Sequence, residues 1–403
     1  MELFERGQLF KAVLAVIVLY PLIPIEYLPY LGIALGGYFL AYLYNNRDVF
    51  DKIRRSRRHT KLAYGLSTFL FLVLQMVSLI YSESPEDTLS GILLYLSAFI
   101  VFFVLKYEIN RPNHVVPLTR AYFFSAFLVG FYHVGQVVYD EIVRGIPFDP
   151  LTNTSFMENG PILAYFMLLA LFPALTLYIF KDKNKESRFY LFVVGVSLIS
   201  IFMTGSRIAI VGVFLGLFLL SLLYSVRFLI ALIPAGIFFA LIPLFTRRHW
   251  SFFLLSKEMG RFSFYLEILK ADAKSIFLGR GFHTIDYTLG RFMAGRPELL
   301  NLDQVNKPYN AVLQVILELG LLGLFLGAVI LYFKMRGIHN YTKSYKAQPQ
   351  LKVLYVGVFV SMAVLLYVGL MDSYLMSGRI VYAIAILMGI LHGDAKWKGI
   401  QKV

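Results

Sequence analysis

Stretches of roughly 20 apolar residues recur along most of the chain, and this is the length at which an α-helix crosses the hydrocarbon core of a bilayer. Because lipid offers no hydrogen-bond partners, a spanning segment has to satisfy its backbone internally, as an α-helix does. Of the 403 residues, 58% are hydrophobic and 15% are charged, a composition typical of membrane proteins. We therefore predict an all-α, polytopic membrane protein of twelve spans. The predicted spans are 9–25, 27–44, 62–82, 89–105, 121–138, 161–180, 189–204, 208–224, 228–245, 310–333, 353–371 and 380–392.

The short loops between these spans alternate in charge. One set holds 20 Lys and Arg residues, whereas the other set holds only Arg144, Arg207 and Arg379. By the positive-inside rule the first set is cytoplasmic. Both termini are then cytoplasmic, which requires an even number of spans and agrees with twelve. The net charge of +14 is explained by topology and by contact with anionic lipid, so nucleic acid is not an expected partner.

The longest polar region, residues 246–308, separates nine predicted spans (1–245) from three (309–403) and lies on the outer side. It has a net charge of +4, on the side where positive charge is usually sparse. A basic surface beside the bilayer suits an anionic substrate such as a lipid phosphate or pyrophosphate. The apolar spacing of 261–272 predicts an amphipathic helix that starts at Arg261. Gly279 and Gly281 then predict a tight turn where the backbone approaches a neighbour closely.

Few ionisable residues lie within the predicted spans or directly beside them between apolar segments, and a charge in such a place is costly unless it has a role. Arg207 follows a very short turn between two spans that are almost wholly apolar. Glu318 lies two turns inside the tenth span, where it faces either a cavity or a neighbouring helix. Asp372 and Arg379 share the last outer turn and are predicted to pair. The chain has no cysteine and no cluster of His, Asp or Glu with metal-ligand spacing, so we predict neither disulfides nor a metal.

Three motifs around the outer loop occur together and in a fixed order. They are Thr204-Gly-Ser-Arg207; Arg261 with its helix and the Gly279-Arg280-Gly281 turn; and Asn310, followed after nine residues by Gly320-x-x-Gly323. In this order they resemble the bacterial O-antigen ligase and O-antigen polymerase superfamily. The resemblance implies a glycosyltransferase of the bacterial inner membrane with its site on the periplasmic face.

The resemblance also implies a substrate and partners. The donor would be an oligosaccharide linked to undecaprenyl pyrophosphate, used without metal or other cofactor. The partners would be membrane lipid and a chain-length-regulating co-polymerase. Arg207 and Arg261 match the family's pyrophosphate-binding arginines, with Arg280 as a third candidate. Preorganised arginines stabilise the charge that develops on a departing pyrophosphate. Further candidates for substrate binding are Asn310, Arg291 and Lys307.

One position departs from the ligase pattern. The ligase motif has a histidine immediately before the Asn, whereas this chain has Tyr309, and tyrosine, with an ordinary pKa of about 10, is a poor base at neutral pH. The sequence therefore favours a polymerase, in which the non-reducing end of one lipid-linked repeat attacks the reducing-end sugar of another lipid-linked chain. A ligase that transfers glycan to lipid A core or to protein is the alternative. Candidate bases are His283, Glu158, Asp140 and Tyr309 itself.

A transporter or flippase is a third hypothesis, because twelve spans suit one. Transporters usually show internal repeats and ionisable residues near the bilayer midplane. The halves of this chain show no repeat, and one loop carries most of the polar residues. His133, inside the fifth span, is expected to be a hydrogen-bonded residue of the bundle rather than a base. Transport therefore ranks below glycosyl transfer.

Overall fold

A computed structural model describes most of the chain and shows only helices and turns there. The described residues are 6–46, 62–108, 112–145, 153–180, 185–223, 276–294, 310–344 and 349–400, with scattered positions between 226 and 237. Within these ranges every regular element is helical, and no strand occurs. The predicted all-α class is therefore confirmed for the described residues.

Twelve α-helices lie in the described ranges, with single 3₁₀ turns at Ile25–Tyr27 and Tyr374–Met376 and a π turn at Tyr139–Val143. In chain order the α-helices are α1 (Arg6–Leu19), α2 (Leu28–Asn45), α3 (Leu62–Tyr81), α4 (Pro85–Glu108), α5 (Pro112–Val138), α6 (Gly160–Phe180), α7 (Lys185–Met203), α8 (Arg207–Leu223), α9 (Ile285–Ala294), α10 (Ala311–Ser344), α11 (Pro349–Met371) and α12 (Gly378–Ile400).

Five of these helices are long and apolar enough to cross a membrane, judged by length and composition. They are the helices whose apolar segments are Pro85–Lys106, His114–Val143, Gly160–Ile179, Ala311–His339 and Leu351–Met371. Five shorter apolar segments, of 10–17 residues, belong to α1, α3, α7, α8 and α12. The chain thus has the helices of a membrane protein.

The predicted spans coincide with helices wherever the structure describes them. Eleven of the twelve each overlap one of the helices α1–α8 and α10–α12. The ninth predicted span, 228–245, lies largely outside the described residues, as does the predicted amphipathic helix at 261–272. The short helix α9 belongs to the predicted outer loop, 246–308.

Helix α6 forms the centre of the bundle. It packs against α5, α7, α8, α11 and α12. Its side chains from Leu163 to Ala170 are fully buried, on every face of the helix rather than along one stripe. A helix that is apolar all round has to be enclosed by neighbours of similar character, and α6 is.

Hydrogen bonds between helix ends define one end of the bundle, which we call the polar end. Tyr165, in α6, donates to Asp372, directly after α11, at 2.5 Å. Asn310, directly before α10, donates to the carbonyl of Leu370 in α11 at 2.8 Å. Arg379, in the first turn of α12, donates to a carbonyl just after α1 at 2.7 Å. The starts of α6, α10 and α12 therefore meet the ends of α1 and α11.

Candidate functional site

The candidate site lies at the polar end and is built around an interruption of α10. At Gly320 the backbone leaves the helical region (φ 70°, ψ −173°), which releases carbonyls that a continuous helix would use. Residues 276–284, which we call the docked turn, fill the gap. The carbonyls of Leu317 and Glu318 accept the N–H groups of Arg280 and Gly281, both in the docked turn, at 2.9 and 3.1 Å. The N–H of Leu321 donates to the carbonyl of Ile276, the first residue of the docked turn, at 2.8 Å. Non-helical backbone is tolerated at membrane depth when protein satisfies it in this way.

Two glycines make this close approach possible. Gly279 has φ +75° and Gly320 has φ +70°, a region that residues with a side chain rarely adopt. A Cβ atom on Gly279 would collide with the carbonyl of Glu318, and one on Gly320 with the carbonyl of Phe277. The prediction of a tight turn with a close backbone approach at Gly279 is confirmed.

Glu318 fixes the docked turn from the side of α10. Its side chain is 2% exposed and accepts a hydrogen bond from Gln314 Nε2, one turn earlier, at 2.9 Å. Backbone N–H groups of His283 and Ile285 also reach this carboxylate. Ile285 is the first residue of α9, where the helix dipole favours a negative charge. Glu318 therefore bonds the outer-loop segment and its own helix rather than an open cavity.

The hairpin between α3 and α4 holds the opposite side of the docked turn. Ser78 Oγ accepts the N–H of Phe282 at 3.1 Å, and the Tyr81 hydroxyl donates to the carbonyl of Leu278 at 2.7 Å. The Phe282 ring is buried, with its centroid 4.8 Å from that of Tyr95 in an edge-to-face arrangement. The docked turn is thus clamped between α10 and the α3–α4 hairpin.

Two of the predicted substrate-binding arginines converge on one carboxylate. Arg280 Nη1 lies 3.6 Å from Glu83 Oε2, and Arg291 Nη1 lies 3.7 Å from Glu83 Oε1. The side chain of Arg280 is 16% exposed and that of Arg291 is 67% exposed. The structure therefore brings Arg280 and Arg291 together, as neighbours of a residue that the sequence did not single out.

His283 belongs to the docked turn and has a constrained position. Its φ is +64°, and its side chain packs directly against the backbone at Gly91 in α4. The two other described base candidates are engaged with arginines. Glu158 pairs with Arg379 at 2.6 Å, and Asp140 lies 3.4 Å from Arg144 on the next turn. A catalytic role for any of these residues stays a prediction.

Arg207 is the first residue of α8, next to a hydrogen-bonded group at the polar end. The preceding residue, Ser206, hydrogen-bonds Tyr165, whose hydroxyl donates to Asp372. A cation at a helix N-terminus is electrostatically unfavourable, so helix stability does not account for an arginine in this position. The location of Arg207 agrees with a role toward an anion, and that role stays a prediction.

Asn310 has a structural part that the sequence motif did not reveal. Its Oδ1 accepts the N–H groups of Val312 and Leu313 at 2.8 and 3.1 Å, which caps the start of α10. Its Nδ2 donates to the carbonyl of Leu370, which joins α10 to α11. Asn310 thereby links the α10 motif to the segment that ends at Asp372.

The predicted pairing of Asp372 with Arg379 is wrong. Asp372 instead accepts hydrogen bonds from Tyr165 and from the backbone of Tyr374, at 2.5 and 3.2 Å. Arg379, 3% exposed, pairs with Glu158. The two residues are separated by a 3₁₀ turn, which directs them to different helix ends; spacing in sequence does not reveal this.

His133 is a buried bundle histidine, as predicted. It is fully buried, and its Nε2 lies 3.0 Å from the carbonyl of Asn153. Three other predicted site residues, Arg261, Tyr309 and Lys307, lie outside the described residues.

Sequence reasoning overlooked Glu83 and Tyr165. Glu83 follows the end of α3 by two residues, and its carboxylate lies beside Arg280 of the Gly279 motif. Tyr165 lies within a continuous apolar run and carries no distinguishing signal. Both are recognised only when distant segments are brought together.

Within the described ranges, no group of three or more His, Asp or Glu side chains is arranged to hold a metal ion. The expectation of a metal-free site stays a prediction.

No protein-family model matches this chain, and no curated protein matches it significantly. The resemblance to the O-antigen ligase and polymerase superfamily therefore rests on the sequence motifs alone.

Proposed function

We propose that this chain is a glycosyltransferase of the bacterial inner membrane that polymerises oligosaccharide repeats linked to undecaprenyl pyrophosphate. The twelve-span topology, with the polar end on the periplasmic side, is part of the proposal. Membrane lipid and a chain-length-regulating co-polymerase are the proposed partners, and no metal or other cofactor is required.

The observation that carries the proposal is the meeting of the family-like motifs at one end of the bundle. The Arg207 motif connects through Tyr165 to Asp372. Asn310 connects to Leu370, two residues before Asp372. The Gly279 motif docks on α10 at Gly320. Arg207 and Asn310, more than 100 residues apart in the sequence, thus lie at the same end of the bundle, and α10, which begins there, carries the docked turn.

The proposed reaction is a single displacement. A hydroxyl at the non-reducing end of one lipid-linked repeat attacks C1 of the reducing-end sugar of another lipid-linked chain. A new C1–O bond forms, the C1–O bond to the pyrophosphate breaks, and the hydroxyl proton passes to a base or to water. The leaving group, undecaprenyl pyrophosphate, keeps the electron pair. Arginines that contact it, Arg207 and Arg261 first among them, would stabilise the developing charge.

A polymerase is favoured over a ligase because Tyr309 replaces the histidine of the ligase motif. A Tyr309→His variant separates the two readings. If it forms the same lipid-linked products as the wild type and transfers nothing to lipid A core, the polymerase assignment stands. If the wild type forms no ladder but transfers glycan once lipid A core is added, the chain is a ligase.

The broken helix α10 is an observation that favours transport as a second candidate, because discontinuous helices form the substrate sites of many transporters. In those sites the released backbone groups face substrate. Here, the released carbonyls of Leu317 and Glu318 accept hydrogen bonds from the docked turn instead. The break therefore serves to anchor the outer loop, which supports an enzyme with a site built from that loop.

The proposal is tested with purified protein in liposomes that contain the undecaprenyl-pyrophosphate-linked repeat and no other acceptor. We expect a ladder of longer lipid-linked glycans on a gel. Arg207→Ala should reduce the rate by roughly 10²–10³-fold, the usual cost of removing a group that stabilises a developing negative charge. Arg336→Ala is the matched control, because Arg336 lies in the distant half of α10 and donates to Tyr332 at 3.1 Å.

An Arg207→Ala protein that forms the ladder at the rate of the Arg336→Ala protein would overturn the assigned role of Arg207. Movement of intact donor across the bilayer without any ladder would instead support the transporter.

A further inference from the structure

Glu83 forms a loose ion pair with two arginines at once. Its distances to Arg280 and Arg291, 3.6 and 3.7 Å, exceed the 2.7–2.9 Å typical of a charge-assisted hydrogen bond. Glu83 Oε2 is shielded from solvent and accepts no hydrogen bond from any residue that the structure describes. A shielded carboxylate oxygen without a donor is unusual, because such groups are normally hydrogen-bonded. The carboxylate therefore offsets only part of the charge of the two arginines and forms no close hydrogen bond with either.

The backbone around this trio is fixed without help from the carboxylate. The N–H of Arg280 donates to the carbonyl of Leu317 at 2.9 Å, and the carbonyl of Arg280 accepts the N–H of Glu83 at 3.1 Å. The hairpin and the docked turn therefore stay joined if the Glu83 side chain moves. Arg291, on the neighbouring helix α9, has a side chain that is 67% exposed and is able to follow a new partner.

The charges of the trio favour a larger anion. Two guanidinium groups face one carboxylate, which leaves a net charge of +1. A carboxylate has two oxygens, and here each lies near a different arginine. A diphosphate carries more charge and more acceptor oxygens, so it is able to form hydrogen bonds with both planar guanidinium groups.

We propose that Arg280 and Arg291 form a diphosphate-binding pair and that Glu83 is its built-in competitor. This inference rests on the proposed function and adds a binding role for a residue that faces the pair. Before a diphosphate binds, Glu83 offsets part of the charge of the two arginines. When the diphosphate of the lipid-linked donor arrives, it displaces the carboxylate, and the return of Glu83 promotes release of the lipid diphosphate product.

The competitor role is tested by direct binding of inorganic pyrophosphate to the full chain in nanodiscs of phosphatidylcholine, measured by calorimetry. Glu83→Gln keeps the size and backbone link of Glu83 but removes its charge. We expect pyrophosphate to bind this variant at least tenfold more tightly than wild type. Adding Arg291→Ala to Glu83→Gln should reverse the gain, and this exposed arginine is removable without disturbing the core.

Glu86→Gln is the matched control, because Glu86 is exposed on the same hairpin in the first turn of α4. Its pyrophosphate affinity should equal that of wild type. An equal gain in Glu86→Gln would show a general effect of charge and overturn the inference. So would unchanged or weaker binding by Glu83→Gln in a protein whose melting temperature is that of wild type.

Inorganic phosphate distinguishes a diphosphate site from one for lipid headgroup phosphates. We expect Glu83→Gln to improve phosphate binding much less than pyrophosphate binding. An equal improvement, together with competition by phosphatidylglycerol in the nanodisc, would overturn the diphosphate assignment. The binding assay needs no turnover. Tighter pyrophosphate binding without any glycan ladder would therefore uphold the anion site while the proposed polymerase fails.

Discussion

At the scale of single residues, the pair Gly279 and Gly320 determines whether the outer loop can dock. Both have positive φ, and at each position the backbone of the partner segment fills the space that a side chain would need. The Gly320-x-x-Gly323 motif thus has a structural explanation at its first glycine. At that glycine the first half of α10 ends, and the docked turn, which contains Arg280, packs against the break.

Gly320→Ala is expected to destabilise the protein strongly. Strain at positive φ costs about 1–3 kcal/mol, and the collision with the Phe277 carbonyl adds to it. Thermal unfolding in detergent measures the effect. The control is Gly337→Ala, because a Cβ at Gly337 has no atom within 4 Å. We expect a lower melting temperature for Gly320→Ala only; equal melting temperatures for the two variants would contradict the docking geometry.

Sequence reasoning at the residue scale identified positions better than partners. The close approach at Gly279 was predicted correctly, because a glycine pair is visible in the sequence alone, whereas the role of Arg207 stays a prediction. The partner of Arg379 was assigned wrongly, since Glu158 lies 221 residues away. Partners of this kind depend on how helix ends meet, and a single sequence does not contain that information in readable form.

At the scale of elements, the positions of the long helices were well predicted, whereas the break in α10 and the contacts of α9 were not. Runs of about 20 apolar residues located most of the helices, because this is the length that an α-helix needs to cross a bilayer. The interruption of α10 escaped notice, since Gly320 is surrounded by leucines that read as a continuous span. The role of α9 also escaped notice: its N-terminus receives Glu318.

Glu318 should hold α9 and the docked turn in place. We expect Glu318→Ala to release them, because the N–H groups of His283 and Ile285 lose their acceptor. The chain has no cysteine, so a single Leu289→Cys reports on release: Leu289 is 1% exposed. A buried N–H group without an acceptor costs about 1–3 kcal/mol, which favours release of the segment. Maleimide labelling of this cysteine should therefore accelerate at least tenfold.

Glu318→Gln and Glu86→Ala serve as controls for that measurement. The glutamine keeps an oxygen that accepts the two N–H groups, and Glu86 is exposed on another hairpin. Both should leave Leu289→Cys protected. Rapid labelling with Glu318→Gln, or slow labelling with Glu318→Ala, would argue against the carboxylate as the anchor of α9.

At the scale of the whole molecule, the directions of the described helices support an alternating bundle. α8 and α10 both begin at the polar end. The chain therefore has to return to this end between Leu223 and Asn310, and the predicted ninth span would supply that return. The motifs collect at one end because every outer loop of such a bundle opens on the same side.

The proposed orientation is tested with two single cysteines and a membrane-impermeant maleimide applied to intact cells. Gly290 in α9 and Gly337 in α10 both have open space where a side chain would lie. Gly337 follows the break of α10 and lies beside Lys334 and Arg336, so the positive-inside rule assigns it to the cytoplasmic side. We expect Gly290→Cys to react from outside and Gly337→Cys to react only after permeabilisation. The reverse pattern would invert the topology.

If the protein is the proposed polymerase, it joins lipid-linked repeats with release of undecaprenyl pyrophosphate, and the stoichiometry of the products measures this. Wild-type protein in liposomes would be incubated with the lipid-linked repeat and excess EDTA, and the products quantified by mass spectrometry. We expect lipids bearing two, three and more repeats, with one undecaprenyl pyrophosphate released for each new linkage. Donor that stays intact, or release of undecaprenyl pyrophosphate without any longer glycan, would contradict it.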